Sequence, residues 1–324
     1  MAPVPLVREI RSGLEESLHA GDVAVVDVDG RLVASAGDPD IELFARSSMK
    51  PLQAAVSLSL APLDFPPAEV AVMCASHNAE PVHLETVRSL LARGGVPESA
   101  LRCPAMRPWD EATAAVFPER LPINSDCSGK HGGMLSACRA QGWPLKGYRD
   151  PGHPLQRAVL NAVLLAAGVA SVHVGVDGCG VPVHGMPLRA VARIYARFAG
   201  SDPLDGLRPH VRRAVDAMAA EPYMVAGRNR VDTAVMNVAP GLVVKGGAEG
   251  LMCAGSLERG IGVAVKIRDG SARASGPALI HALAMLGLLA EEQLGSIAAF
   301  ARPPVLGGGE PVGELVADFR LDSS

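Results

Sequence analysis

Residues 23–35 read VAVVDVDGRLVAS, and this stretch decides how the fold begins. Two runs rich in valine and leucine surround the pair Asp29-Gly30, a combination typical of a tight turn between antiparallel strands. The stretch therefore predicts a β-hairpin near the start of the chain. Short apolar runs at 241–245 and 261–267 predict further strands, and a last strand is expected at 314–319.

Between these strands, apolar residues recur at three- and four-residue steps, the spacing of helices that bury one face. The helical pattern begins at Ser47 and returns at 83–93, 132–141, 155–167, 188–198, 207–220 and about 275–290. Strands at both ends with helices between them predict an α+β fold. We expect a mixed or antiparallel sheet from about residues 20–40 and 240–320, a helical region over about 47–220, and a single domain over 1–324. Pro and Gly dominate 302–311, which predicts a surface loop or linker.

Composition narrows the class of protein. Of the 324 residues, 48% are hydrophobic, which excludes a disordered chain. The net charge of −4 and the few aromatic residues argue against a nucleic-acid partner. No apolar run has the length of a membrane span, and the charged first twenty residues do not resemble a signal peptide. We therefore expect a cytoplasmic protein with no membrane partner, whose six cysteines are thiols or metal ligands.

The first candidate pair for chemistry is Ser47 and Lys50, three residues apart at the start of a predicted helix. A serine hydroxyl becomes a good nucleophile when a base removes its proton. A lysine can be that base if burial or a nearby cation, such as Arg46, lowers its pKa. The alternative is structural: Ser47 caps the helix and Lys50 is solvated.

Four other segments interrupt the apolar chain with polar residues and glycines. They read CASHNAE at 74–80, NSDCSGKHGGM at 124–134, VGVDGCGVP at 174–182 and KGGAEG at 245–250. The first is either a pocket lining or a capping loop. In the second, three glycines would let the backbone approach a ligand. Cys127 and Cys179 could supply soft ligands to zinc, although their spacing is not that of a zinc finger, and they could equally be inert buried thiols.

The segment from Ser47 to Lys50 and the four segments above make five in all. In their order along the chain, these five segments resemble the signature blocks of the Rhizobium etli-type L-asparaginases, the asparaginase II family. The block Cys127-Ser128-Gly129-Lys130-His131 is the most specific of them. The resemblance runs from the hairpin to about residue 290. It implies a serine β-lactamase-like fold, which agrees with the order of strands and helices.

The resemblance also implies roles for single residues. The implied catalytic residues are Ser47 as nucleophile, Lys50 as its base, Ser76 as second serine and Lys245 as its lysine, with Lys266 an alternative to Lys245. The implied zinc ligands are Cys127, Lys130 and Cys179. Substrate contacts are expected from Arg46, His131, Asp177 and Glu249.

The function expected on this basis is the hydrolysis of L-asparagine, a small-molecule substrate, by a zinc-containing homodimer. Serine acylation would split the reaction into two steps. One alternative is a β-lactamase-like or other amide hydrolase, which shares the serine-x-x-lysine helix. Another is a catalytically silent protein that binds zinc or an amino acid on the same fold.

Overall fold

Strands from both ends of the chain meet in one nine-stranded antiparallel sheet in the computed structural model, which describes residues 2–323. The order along the sheet is β10-β11-β1-β2-β9-β8-β7, and β3 pairs with both β2 and β12. The strands are β1 Val4–Arg11, β2 Leu14–Asp27, β3 Leu32–Ala36, β4 Glu42–Phe44, β5 His173–Val176, β6 Pro182–Pro187, β7 Leu242–Gly246, β8 Leu251–Ser256, β9 Ile261–Ile267, β10 Pro304–Gly307, β11 Glu310–Ala317 and β12 Asp322–Ser323. The predicted α+β class, with a sheet from both ends of the chain, is confirmed.

Helices occupy most of the remaining chain. They are α1 Lys50–Leu60, α2 Pro67–Met73, α3 Pro81–Arg93, α4 Glu111–Val116, α5 Ser128–Ala140, α6 Pro154–Ala167, α7 Leu188–Ala196, α8 Arg208–Ala220, α9 Pro222–Val225, α10 Val231–Val238, α11 Ala272–Met285, α12 Glu291–Ser296 and α13 Ala298–Ala301. Within residues 2–323, none of them is long and apolar enough to cross a membrane.

The chain divides into two units. The first holds the described residues up to Ser48, then Met186–Gly200, and then those from Ala234 onward. The second holds Met49–Gly185 and Ser201–Thr233. The nine-stranded sheet belongs to the first unit, and most helices belong to the second. The single domain expected over 1–324 stays a prediction.

The predicted hairpin forms between β2 and β3, where Val25 lies opposite Ala34. Gly30 has a φ of +86°, a conformation that the turn requires and that glycine adopts without steric cost. On its other side, β2 pairs with β9 through facing valines, and Val25 lies opposite Val263. The valines that face each other on β2 and β9 are buried. The hairpin therefore lies in the middle of the sheet.

Two expectations near the carboxyl end are wrong. Residues 302–311 are not a loop, because β10 and β11 form a hairpin there around Gly308 and Gly309, which both have positive φ. Prolines at 304 and 311 did not prevent this, since proline is tolerated at the first residue of a strand and on sheet edges. The helix expected to end near 290 ends at Met285, and α12 begins after a break.

Helix α7 lies directly against the backbone of the sheet in the first unit. Gly255 on β8 and Gly262 on β9 are opposite each other, and a Cβ at either would meet α7. At Gly262 that Cβ would lie 1.9 Å from the carbonyl oxygen of Ala192. The pair of glycines therefore allows the close approach of helix and sheet.

The second unit is built around α5, which is buried along nearly its whole length and packs against α1, α2, α3 and α6. Its glycines face neighbouring helices. A Cβ at Gly129 would lie 2.1 Å from the Val72 carbonyl oxygen, and one at Gly133 would press on Met73. The expectation that these glycines admit a ligand is wrong for these two positions, because they admit α2 instead.

Replacement of Gly262 by alanine should lower the free energy of unfolding by about 1–3 kcal/mol, the usual cost of forcing atoms into a packed interior. Gly295 on α12 offers the matched control, because nothing lies within 4 Å of a Cβ there. Gly295→Ala should be neutral or stabilising by about 0.5–1 kcal/mol, since alanine is the better helix former. Urea denaturation of both variants measures the difference. Equal stabilities for the two variants would contradict the packing described for α7.

Candidate active site

Lys50, the first residue of α1, is completely buried. Its Nζ donates to the carbonyl oxygen of Ala75 at 2.6 Å and to Ser76 Oγ at 2.9 Å. The carboxylate of Asp126 forms an ion pair with the same amine at 3.3 Å. The structural alternative of a solvated Lys50 is therefore wrong, and the amine contacts the second serine of the predicted site.

The charge of Lys50 depends on Asp126. Burial lowers the pKa of Lys50, but the Asp126 carboxylate and the Cys127 sulfur raise it more, so the net pKa lies above that of an ordinary lysine. The lowered pKa expected of a lysine base is not found in this state of the protein. At neutral pH the group is an ammonium ion that donates to Ser76 Oγ.

Ser47 lies in a 3₁₀ turn, Arg46–Met49, that leads directly into α1. Arg46 has a φ of +48°, a left-handed conformation that costs energy for any residue other than glycine. The peptide that follows Ser47 is anchored, because the buried Tyr195 hydroxyl donates to the Ser48 carbonyl oxygen at 2.7 Å. Ser47 is half-buried, and it does not cap the helix, since Met49 takes the N-cap position.

The loop that carries Ser76 is held by main-chain pairing with residues 225–226. The Ser76 amide donates to the carbonyl oxygen of Val225, and the Asn78 amide donates to that of Ala226, both at 2.9 Å. Arg230 donates to the Ser76 carbonyl oxygen at 3.1 Å and also to the Asn78 side chain. These contacts fix the backbone of Ser76 from two sides.

Cys127, Lys130 and Cys179 form a buried cluster in the second unit. Lys130 Nζ donates to Cys179 Sγ at 3.0 Å, and Cys179 Sγ lies 3.4 Å from a carboxylate oxygen of Asp177. A hydrogen bond from Cys127, followed by the charge of Lys130, holds the pKa of Cys179 far below that of an ordinary thiol. The same hydrogen bond and burial raise the pKa of Cys127. Of the two thiols, Cys179 therefore loses its proton more readily than Cys127.

The donor types of this cluster suit zinc, which prefers sulfur and nitrogen ligands. Within the described chain, His, Cys, Asp and Glu side chains alone form no group of three that could hold a metal. The third ligand would have to be the Lys130 amine. Burial lowers the pKa of Lys130, but the Cys127 and Cys179 sulfurs raise it more, so this amine is an ammonium ion that must lose a proton to bind metal.

His131 follows Lys130 on α5 and is also fully buried. Its Nδ1 lies 2.5 Å from the hydroxyl of Tyr148. Burial lowers the pKa of His131, and a hydrogen bond with Cys179 opposes this change only in part. The imidazole is therefore neutral and lies in the electrostatic environment of the Cys179 cluster.

The structure brings seven of the predicted residues together in the second unit: Lys50, Ser76, Cys127, Lys130, His131, Asp177 and Cys179. Lys50 is linked electrostatically to the Cys127, Lys130 and Cys179 cluster. The other four, Arg46, Ser47, Lys245 and Glu249, belong to the first unit.

The two lysines considered for the second serine differ within the first unit. Lys245 on β7 is completely buried, whereas Lys266 on β9 is half-buried and donates to the carbonyl oxygens of Glu249 and Ile267, both at 2.5 Å. Glu249 is exposed and has a φ of +60°. Lys245 is therefore not a solvated lysine at the end of its strand.

Sequence reasoning missed two residues that contact the predicted site. Asp126 lies inside the quoted segment 124–134, and its position beside Cys127 could have drawn attention to it. The sequence around Tyr148 contains no motif that would have identified it, although it is one of only three tyrosines in the chain.

Comparison with solved structures gives distant likenesses. A β-lactamase from Mycobacterium bovis is 17% identical, and the match covers 89% of this chain and 97% of that one with a TM-score of 0.43. A glutaminase from Bacillus subtilis, solved as a covalent complex with 5-oxo-L-norleucine, is 14% identical over 83% of this chain and 88% of that one, with a TM-score of 0.40. No curated protein matches the chain.

The sequence as a whole gives a firmer result. Residues 7–317 match the family described as L-asparaginase II, and this match extends over nearly the whole chain. The resemblance drawn from the five short segments is thereby confirmed. The protein is an amidohydrolase that acts on a small molecule, and its chain belongs to the L-asparaginase II family.

Proposed function

We propose that the protein hydrolyses L-asparagine to L-aspartate and ammonia through an acyl-enzyme formed on a serine. Membership of the L-asparaginase II family supports the substrate. The observation that carries the serine chemistry is the buried contact of 2.9 Å between Lys50 Nζ and Ser76 Oγ, with Ser47 three residues before Lys50. The homodimer and the cytoplasmic location expected from the sequence are part of the same proposal.

In this mechanism Ser47 Oγ attacks the side-chain amide carbon of asparagine, and Lys50 accepts the serine proton. The carbon–nitrogen bond then breaks, and ammonia leaves with a proton supplied by Ser76 and its lysine partner, Lys245. Water next attacks the ester and gives one proton to the Ser76–Lys245 pair, while Lys50 returns its proton to the Ser47 oxygen as aspartate leaves. The sum is one asparagine and one water converted to one aspartate and one ammonia.

The base form of Lys50 is the minority form at neutral pH, because Asp126 stabilises the ammonium ion. A general base works in its unprotonated form, so the rate should depend on the fraction of neutral Lys50. Asp126 therefore raises the pH at which the proposed enzyme becomes active.

We propose further that Cys127, Lys130 and Cys179 hold a zinc ion. A bound zinc ion supplies positive charge that attracts polar atoms of a substrate. Of these three residues the deprotonated form is favoured only at Cys179, which lies 3.4 Å from a carboxylate oxygen of Asp177, so zinc binding would release protons from Cys127 and Lys130. Arg46, His131, Asp177 and Glu249 are proposed to contact the substrate.

Ser47→Ala should lower kcat for ammonia release by roughly a thousandfold or more, because the acyl-forming oxygen is lost. The control is Ser59→Ala, which removes a hydroxyl from the exposed side of α1, the helix that follows Ser47, and should leave kcat unchanged. A diazo-oxo analogue of asparagine, followed by peptide mass spectrometry, identifies the serine that is acylated. Label on Ser76 with near-normal activity in Ser47→Ala would move the nucleophile to Ser76. Turnover of nitrocefin without ammonia release from asparagine would favour the β-lactamase-like alternative.

Asp126→Asn should shift the rising limb of the kcat profile to lower pH. The Asp126 carboxylate raises the pKa of Lys50, so removing its charge lowers that pKa and produces the neutral amine at lower pH. Asp216→Asn is the matched control, since Asp216 pairs with Arg212 on the surface of α8. Rates measured across the alkaline range test both variants. A limb that stays in place or moves to higher pH in Asp126→Asn would exclude Lys50 as the titrating base.

Cys179→Ala should lower the zinc content of the purified protein and raise KM, with a smaller effect on thermal stability. Cys138→Ala removes another buried thiol, farther along α5, whose pKa burial raises to about 11, and it should retain the metal. Elemental analysis of both variants measures the zinc directly. A wild-type protein that is fully active without metal would refute the zinc proposal.

A further inference from the structure

Arg230 lies beside the loop that carries Ser76, in the second unit. Its Nη1 donates to the Ser76 carbonyl oxygen at 3.1 Å and to Asn78 Oδ1 at 3.0 Å. The guanidinium carbon lies 5.4 Å from the ring centroid of Trp109, which is a cation–π contact. A half-buried arginine is thus held by one edge and one face, next to the serine whose hydroxyl contacts Lys50.

The buried Asn78 fixes the orientation of this arginine. Asn78 Nδ2 donates to the main-chain oxygen of Arg228 at 2.9 Å and to Glu80 Oε1 at 3.3 Å, so Oδ1 is the side-chain atom that accepts from Arg230. The Asn78 carbonyl oxygen accepts the main-chain amide of Trp109 at 3.0 Å. One residue therefore positions both the guanidinium and the ring that contacts it.

The two arginines of this segment differ in how their charge is compensated. Arg228 forms ion pairs with Glu80 at 3.0 Å and with Asp110 at 3.4 Å. Arg230 has no carboxylate partner among residues 2–323, because both of its hydrogen bonds are to uncharged oxygens. The positive charge of Arg230 is therefore available to an anionic group of a ligand, whereas that of Arg228 is already paired.

The remaining part of the Arg230 guanidinium has the shape that binds a carboxylate. Nη1 uses its two protons on the loop, and the three N–H groups of Nε and Nη2 donate to none of the residues that the structure describes. Nε and Nη2 lie side by side, so together they can donate two parallel hydrogen bonds to one carboxylate. Asparagine carries one carboxylate, the α-carboxylate.

We propose that Arg230 is a substrate-binding residue, whose Nε and Nη2 bind the α-carboxylate of a free amino acid while Nη1 stays bound to the Ser76 loop. The identity of that amino acid rests on the proposed function, whereas the carboxylate contact is a separate claim. The contact makes Arg230 a specificity-determining residue. A substrate whose α-carboxyl group is blocked, such as an α-amide or an asparagine inside a peptide, leaves the charge of Arg230 unpaired and binds more weakly.

The test compares asparagine with L-asparaginamide, which keeps the side-chain amide and the α-amino group but has an uncharged amide in place of the α-carboxylate. In wild type, kcat/KM for hydrolysis of the side-chain amide should be roughly tenfold to a hundredfold higher for asparagine, as expected for a hydrogen-bonded charge pair. Arg230→Gln should lower kcat/KM for asparagine by a similar factor and leave that for asparaginamide nearly unchanged. Arg230→Lys keeps the charge without the paired geometry and should lie between the two.

Arg213→Gln is the matched control. Arg213 also belongs to the second unit and donates to main-chain oxygens, those of Leu63 and Phe65, so its replacement should leave both values of kcat/KM unchanged. If Arg230 only held the Ser76 loop in place, Arg230→Gln would lower kcat/KM equally for the two substrates. That result would overturn the proposal, as would a wild-type protein that hydrolyses both substrates equally well.

Calorimetric binding separates this proposal from the proposed function, because it is read without turnover. L-aspartate should bind Arg230→Gln at least roughly tenfold more weakly than wild type. β-Alanine, which is aspartate without its α-carboxylate, should show no such difference. If wild type releases no ammonia from asparagine but the difference in aspartate binding is found, the proposed function is wrong and the role of Arg230 is supported. Aspartate that binds both proteins equally, or does not bind wild type, overturns the proposal. The comparison of L-aspartate with β-alanine on wild type decides even where Arg230→Gln does not fold, since equal affinities there exclude the carboxylate contact.

Discussion

The burial of two lysine amines, Lys50 and Lys130, is the constraint on which the second unit depends. An ammonium ion without partners is very costly in a protein interior, so each amine must be surrounded by acceptors and negative charge. Asp126 and two oxygen acceptors meet the amine of Lys50, and the Cys179 thiolate meets that of Lys130. The groups that stabilise the two charges are also the groups proposed to carry out or support the reaction. The contacts that stabilise the two buried amines are therefore the same contacts that the proposed reaction would use.

Helix α5 brings these groups together because it can approach its neighbours closely. Cys127 takes its N-cap position, and Lys130 and His131 lie one turn later. The glycines at 129 and 133 remove the side chains that would hold α5 away from α2. A larger residue at Gly129 would displace the start of the helix together with Cys127. The close packing of the helix core thus sets the positions of the polar cluster.

The sequence predicted the parts of the fold that depend on local pattern. The hairpin of β2 and β3 follows from Asp29-Gly30 between valine-rich runs, and the main helices follow from their spacing. Strand β1 gave no such pattern, because Arg8, Glu9 and Arg11 interrupt it, although Glu9 is buried. The hairpin of β10 and β11 was hidden by glycines and prolines that are also typical of loops.

For the site too, features with a local sequence pattern could be predicted and contacts between distant residues could not. The residue types in the five segments were enough to identify the family, since a motif is a local pattern. The partners of those residues were not predictable, because contacts such as Lys50 with Asp126 or His131 with Tyr148 join residues that are far apart in sequence. The sign of the Lys50 pKa change depends on such partners: burial alone lowers the pKa, and Asp126 together with the Cys127 and Cys179 sulfurs reverses the result. Local sequence cannot supply that balance of charges.

The buried His77 bears on which groups transfer protons. The Ala79 amide donates to His77 Nδ1, so the His77 proton is on Nε2, which lies 2.9 Å from Ser128 Oγ. Burial lowers the pKa of His77 far below its ordinary value. Nδ1 is thus occupied as an acceptor and Nε2 is a donor, so this ring has no free nitrogen lone pair with which to accept a proton from a serine. The proton transfers proposed for the reaction therefore fall to the proposed lysines and not to His77.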